Sequence, residues 1–194
     1  EVGPAAARMP EKARKSVSGL GLGEVAESDA EAVAARNVDA GYIATPADLH
    51  ETHAALAFAA GKPALIEKPL AADAAAARRI AEAASTAGVF AMEALWTRFL
   101  PLMRLVSERI EAGALGSLRG YDGHFMAANL PDPAVSLFAP PAGGALLHRG
   151  IYPLSLARFF LGPVTDLKAM ARQGETGVDD DSVLLLTHAS GAIS

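Results

Sequence analysis

The segment Ala64-Leu65-Ile66-Glu67-Lys68-Pro69 is an apolar run that ends on an acid, a base and a proline, and few folds accommodate it. Such a run reads as a buried strand whose proline stops the pairing and is able to take the cis form. A second run, Asp39-Ala40-Gly41-Tyr42-Ile43-Ala44, closes on Thr45-Pro46. Between the two, residues 48–60 read as a helix, with Leu49, Ala54, Leu56, Ala57 and Ala60 forming an apolar stripe and Gly61 past its end. Strand, helix and strand within about thirty residues make a βαβ unit, which implies a parallel sheet. In open α/β sheets ligands bind beyond the carboxyl ends of the strands, so the Lys68 ammonium is placed for chemistry.

The same alternation runs through the first half of the chain. A strand ends near Val2, residues 10–18 read as a short basic helix with Pro10 in its first turn, 24–26 as a brief strand and 29–36 as a helix. Residues 73–87 form a strong helix, with Asp73 as N-cap, Ile80 and many alanines on one face and Gly88 at its end; 89–92 follow as a strand. The pattern changes at Glu93. Trp96, Arg98 and Phe99 precede a helix at 102–112, residues 118–125 alternate with period two as in a half-buried strand, and 129–142 form a loop rich in Pro, Asp and Ala. A helix at 145–161 and strands near 165–172 and 181–188 complete the chain. The reading is α/β over 1–92, then α+β with a mainly antiparallel sheet over 93–194.

At 194 residues the chain is long enough for one good core or two modest ones. Its 51% hydrophobic content is inflated by alanine, which suits helices packed closely on a sheet. A net charge of -5 with no dominant basic patch argues against nucleic acid or an anionic membrane as partner, and no segment reads as a transmembrane span. The absence of cysteine excludes disulfides and thiolate metal sites and fits a cytoplasmic enzyme. The chain opens on Glu1 and closes on Gly191-Ala192-Ile193-Ser194 in what reads as the middle of a hairpin, so both ends read as cut.

Several motifs carry candidate chemistry. Gly21-Leu22-Gly23-Glu24-Val25-Ala26 satisfies a G-x-G-x-x-A pattern by letter, but a phosphate cradle needs a strand before it and a helix after it. Here the order is reversed, so a helix-to-strand loop is the better reading. His50-Glu51-Thr52-His53 spaces its imidazoles by three residues, not four, and reads as partly exposed polar positions near the mouth of the sheet. Asp179-Asp180-Asp181 reads as a solvated turn before a strand. No metal site is expected. In Gly143-Gly144-Ala145-Leu146-Leu147-His148-Arg149-Gly150-Ile151-Tyr152-Pro153, His148 and Tyr152 stand four apart on one helical face. A phenol near an ammonium can exchange a proton with an alcohol being oxidised; a satisfied core tyrosine is the plainer alternative.

The ordered set Tyr42-Ile43-Ala44-Thr45-Pro46, Leu49-His50, Gly61-Lys62-Pro63, Glu67-Lys68-Pro69-Leu70, Met92 to Phe99 and 143–156 resembles the Gfo/Idh/MocA oxidoreductase family, and within it the branch of dihydrodiol and sugar dehydrogenases. The resemblance covers nearly the whole chain. It implies a Rossmann domain binding NADP(H) or NAD(H) over 1–92 and a substrate-binding and dimerisation domain over 93–194. It further implies that Lys68 lies beside the nicotinamide and the reacting hydroxyl, that Thr45, Pro46, His50 and Glu67 line the cofactor site, and that Tyr152 is the acid/base. Trp96 would wall the substrate pocket, and Trp96 and Arg98 belong to the implied cofactor-side set. Arg8 falls where the family's second strand ends, where an arginine can pair with a 2′-phosphate, which favours NADP over NAD.

Two departures stand out. The family's first strand and Gly-rich turn are missing, which makes the Rossmann domain partial and the second domain truncated. His148 stands where the family usually has an aspartate, and a neutral imidazole can hydrogen-bond but cannot balance the charge of Lys68. The resemblance implies hydride transfer between a nicotinamide and a hydroxyl of a sugar, cyclitol or dihydrodiol, with a small polyol or sugar substrate and a homodimer or higher homo-oligomer when full length. The alternative is a non-catalytic sensor on the same scaffold, binding cofactor or sugar; a metal-dependent hydrolase using His50, His53 or the Asp179 to Asp181 run is the weakest reading.

Overall fold

The computed structural model describes residues 3–7, 10–20 and 24–194. Within it the chain divides into two compact units, Glu1–Ala94 and Leu95–Ser194. The expected strand near Val2, Arg8 and the glycines Gly21 and Gly23 lie outside the described residues.

In the first unit, helices α1 (Pro10–Leu20) and α2 (Asp29–Ala34) precede three short parallel strands, β1 (Gly41–Ile43), β2 (Ala64–Ile66) and β3 (Ala91–Glu93). Helix α3 (His50–Ala59) joins β1 to β2, and α4 (Ala74–Ala87) joins β2 to β3, so β2 is the middle strand. The pairing runs in register from Gly41 with Ala64 to Ile66 with Glu93. The expected strand at 24–26 is reduced to one parallel bridge between Ala5 and Val25.

One buried cluster explains why these elements form. Ile43, Ala64 and Ile66 of the strands meet Ala54, Ala57 and Phe58 of α3 and Ala76, Ile80 and Ala84 of α4. Ile66 is fully buried and Ile80 nearly so, each contributing about 1.5–3 kcal/mol relative to exposure. The alanines let both helices approach the sheet closely. Asp73 caps α4 by accepting the Ala76 amide hydrogen at 2.8 Å, and Gly88 ends it with φ 66°, a conformation glycine adopts without strain.

The second unit begins with a 3-10 turn at Trp96–Phe99 and helix α5 (Pro101–Glu111), which opens on its proline. A 3-10 turn at Ser136–Phe138 follows, then a π turn at Leu146–Gly150 running into α6 (Ile151–Leu161). The last elements are the antiparallel pair β4 (Val164–Gln173) and β5 (Asp179–His188).

Three expectations need correction. Residues 118–125 are not a strand: the stretch makes one bridge, from Gly120 to Ile193, and alternation alone does not make a strand without a hydrogen-bonded neighbour along its length. The single helix expected over 145–161 is split, because Pro153 has no amide hydrogen to offer Arg149 and its ring crowds that carbonyl, so the chain widens to a π turn just ahead. The i, i+4 superposition of His148 and Tyr152 therefore does not carry over unchanged. Finally, Asp179, Asp180 and Asp181 open strand β5 rather than forming a turn, and Asp179 is not merely solvated, since its carboxylate accepts from the Leu146 amide at 2.7 Å and the Ser182 hydroxyl at 2.8 Å.

Candidate functional site

The carboxyl edge of the first unit's sheet collects Thr45 after β1, Glu67 and Lys68 after β2, and Glu93 at the end of β3. The last rungs of the ladder are the Glu67 amide to Ile43 and the Ala94 amide to Ile66. Beyond them, side chains hold the backbone. Glu67 accepts from the Lys68 amide at 3.0 Å and from the Tyr42 hydroxyl. That hydrogen bond, with some burial and the carboxylate's charge, raises the Tyr42 phenol above its ordinary range, so Tyr42 serves as a standing donor to Glu67 and not as a base. The Lys68–Pro69 bond is cis.

His50 departs from the expectation of a partly exposed position. It is 1% exposed. Its Nε2 lies 2.8 Å from the Thr45 carbonyl and its Nδ1 lies 3.0 Å and 3.2 Å from the carbonyls of Pro69 and Leu70. The ring thus tethers the turn after β1 to the corner after β2. Thr45 is positioned a second way: its hydroxyl lies 2.9 Å from His53 Nδ1, and His53 Nε2 lies 3.4 Å from the Asp29 carboxylate. Pro46, between them and α3, is exposed. Among the described residues no group of His, Cys, Asp and Glu side chains could hold a metal ion, and no helix is long and apolar enough to cross a membrane.

In the second unit, Tyr152 in the first turn of α6 lies edge-on to Trp96, with ring centroids 6.2 Å apart, and 5.4 Å from Phe125. Trp96 and Phe125 are both substantially exposed, so the phenol sits in an aromatic cluster. His148 Nε2 lies 3.2 Å from the Ala142 carbonyl. Arg98 donates to the Ser155 hydroxyl at 2.6 Å and the Ser155 carbonyl at 3.3 Å, and its guanidinium lies over Phe159; it ties the 3-10 turn to α6. A cavity of about 550 Å³ in this unit is lined by Phe125, Arg149, Pro153, Asp179 and Leu184 among others. Neither Tyr152 nor His148 is among its lining residues, though Phe125, beside the Tyr152 ring, is.

Tyr42, Glu93 and the His53–Asp29 pair carry geometry that the sequence reading did not use. A usable signal existed for Glu93: an acid closes β3 as Glu67 closes the neighbouring run. Taken together, the edge offers one ammonium, the Glu67 carboxylate and an oriented Thr45 hydroxyl at the carboxyl ends of parallel strands, with Glu93 engaged by the Leu70 amide. This donor set fits the ribose hydroxyls and carboxamide of a nicotinamide cofactor.

Comparison with known proteins bears on the family and the fold. Residues 4–95 match the model of an oxidoreductase family with an NAD-binding Rossmann fold, and residues 103–194 match the GFO/IDH/MocA C-terminal domain. The chain is 37% identical over 159 residues to a trans-1,2-dihydrobenzene-1,2-diol dehydrogenase of Sus scrofa, covering 80% of this chain and 47% of that protein. It is 34% identical over 172 residues to a D-xylose 1-dehydrogenase (NADP(+)) of Hypocrea jecorina, covering 80% and 44%. A crystal structure of a 3-ketoreductase from Actinomadura kijaniata, in complex with NADP and TDP-benzene, superposes with a TM-score of 0.86 at 32% identity, over 100% of this chain and 60% of that one. The chain spans about half the length of the curated relatives it matches. Two domain models matched in the family's order, on a parallel-sheet unit followed by an α+β unit, place the chain in the Gfo/Idh/MocA oxidoreductase family.

Proposed function

We propose that the full protein is a dehydrogenase that oxidises a hydroxyl of a sugar, cyclitol or dihydrodiol, with residues 1–92 serving the cofactor and 93–194 the substrate. The observation that carries this is Lys68, which leaves the carboxyl end of the middle parallel strand at a corner held by two acids, Glu67 on the Lys68 amide and Glu93 on the Leu70 amide. When bound, a nicotinamide would supply the acceptor for a hydride from the carbinol carbon. The Lys68 ammonium favours the alkoxide-like oxygen that develops there, and Tyr152 Oη takes the hydroxyl proton. Glu67 and Thr45 supply acceptors for cofactor hydroxyl and amide groups. In the first unit His50 supports the Lys68 corner through backbone carbonyls, and in the second Arg98 supports α6, which carries Tyr152, through Ser155; Trp96 offers a flat apolar wall beside the phenol.

NADP is favoured over NAD: the xylose dehydrogenase relative carries NADP in its name and the 3-ketoreductase holds it, in keeping with the place of Arg8 in the sequence. The cysteine-free composition supports a cytoplasmic setting, and the exposed sheet of the second unit supports a homodimer. His148, in place of the family's aspartate, is the one feature that favours a sensor.

The test is reduction of NADP+ and of NAD+ by the full-length protein with trans-1,2-dihydrobenzene-1,2-diol, D-xylose and a set of cyclitols, followed as reduced-cofactor absorbance. Turnover of any of them is expected, faster with NADP+. Cofactor binding without turnover, unchanged in His148→Asp, would favour the sensor.

A further inference from the structure

We infer that Glu93 is a positioning residue for Lys68, acting through the backbone of the corner that carries it. The inference rests on the catalytic reading of Lys68 given above. Strand pairing ends at Ile66 and Glu67. From Lys68 to Leu70 the backbone is held by side chains from three different elements. The Lys68 amide donates to Glu67 at 3.0 Å, the Leu70 amide donates to Glu93 Oε1 at 2.8 Å, and the Pro69 and Leu70 carbonyls face His50 Nδ1. Pro69 has no amide hydrogen to add. A peptide held in this way takes its conformation from those side chains, and a lost partner is not replaced by a ladder bond.

Of the three holds, Glu93 is the one that reaches the corner from across the sheet. Glu67 is the neighbour of Lys68 and moves with it. His50 faces carbonyls on both ring nitrogens, so its hold is shared between the turn after β1 and this corner. Glu93 offers a carboxylate to an amide hydrogen, a charge-assisted bond with one sense. It is also anchored, because β3 pairs with β2 through Ile66 at its own position. Glu93 thus sets the distance between the end of β3 and the Lys68 corner, through a carboxylate oxygen already engaged by the Leu70 amide. Misplacement of a reacting group by about 1 Å costs on the order of a hundredfold in rate, so even a partial relaxation of the corner is measurable.

The experiment compares Glu93→Ala, Glu93→Asp and Glu93→Gln in the full-length protein, each with and without Lys68→Ala. Readouts are the exchange rate of the Leu70 amide hydrogen, the Kd of NADPH from nicotinamide fluorescence, and kcat with the polyol that turns over in the panel. Glu93→Ala should lose Leu70 protection and about tenfold or more in kcat, with Kd changed by less than about threefold. Glu93→Gln keeps an acceptor and should restore protection and most of the rate; Glu93→Asp, with its carboxylate drawn back by one methylene, should fall between. In the Lys68→Ala background Glu93→Ala should cost nothing further, because its effect passes through the missing ammonium. An equal fold-loss in both backgrounds would assign Glu93 a merely structural role and overturn the inference, as would lost Leu70 protection with an unchanged rate. If Lys68→Ala alone leaves kcat intact, the catalytic reading fails instead, and the Leu70 exchange rate still reports whether Glu93 holds the corner.

Discussion

The two units solve the problem of a β-sheet in opposite ways. In the first, three strands of three residues each are enough, because Ile43, Ala64 and Ile66 are sealed under α3 and α4. In the second, β4 and β5 run for ten residues each, yet Leu167, Met170, Val183 and Leu185 remain more than half exposed. Strand length and strand burial are thus separate quantities. The parallel unit places functional groups at a strand edge, held on a sealed core; the antiparallel unit places Tyr152 and His148 on a helix.

This contrast is sharpest in large-to-small substitutions. Ile66→Ala should cost about 2–5 kcal/mol in the stability of the first unit, against less than about 0.5 kcal/mol for Leu167→Ala in the second. Denaturant titration read by amide exchange in each unit would measure both, and comparable costs would break the contrast. Next in size is Gly144→Ala. Gly144 has φ 111°, and a Cβ there would meet Asp179 Oδ1 at 2.1 Å, so a loss of about 1–3 kcal/mol is expected. Adding Asp179→Ala should be markedly less than additive, since it removes the clash while giving up the bond to Leu146.

Arg98→Ala should cost about 1–2 kcal/mol through its bonds to Ser155 and leave the Kd of NADPH unchanged; a weakened Kd with intact stability would return Arg98 to the cofactor site. The smallest effect is on pH dependence. The backbone amide of Ala76 is the chief cause holding the Asp73 carboxyl below its ordinary range. A carboxyl with a depressed folded pKa stabilises above its unfolded pKa, and that stabilisation is lost as pH falls through the folded one. The helicity of α4 should therefore fade slightly as the solution drops below the ordinary aspartate range, and Asp73→Asn should flatten that response.

The first unit was legible because its signals are local. Apolar runs ending on Pro46 and Pro69, the Asp73 cap and the Gly88 stop each fix one boundary by covalent or hydrogen-bonding constraints that neighbouring residues supply. The βαβ order followed from these. In the second unit the decisive partners are distant in sequence. The alternation at 118–125 gave no hint that Ile193 alone would pair with it, and nothing near Asp179 pointed to the Leu146 amide more than thirty residues earlier. The π turn was readable in principle from Pro153, whose missing amide hydrogen falls inside the expected helix. Among the site residues, Lys68 and Glu67 stood out by position at a strand end, whereas the burial of His50 between three carbonyls is a tertiary fact that its neighbours in the sequence do not encode.

The most direct test of the account is nicotinamide fluorescence with NADPH and with NADH, paired with the rate of cofactor reduction, for the full-length wild type, Lys68→Ala and Tyr152→Phe. The account predicts that all three proteins bind NADPH and that only the wild type turns over at an appreciable rate. Failure of the wild type to bind either cofactor, or turnover that survives both substitutions, would contradict it.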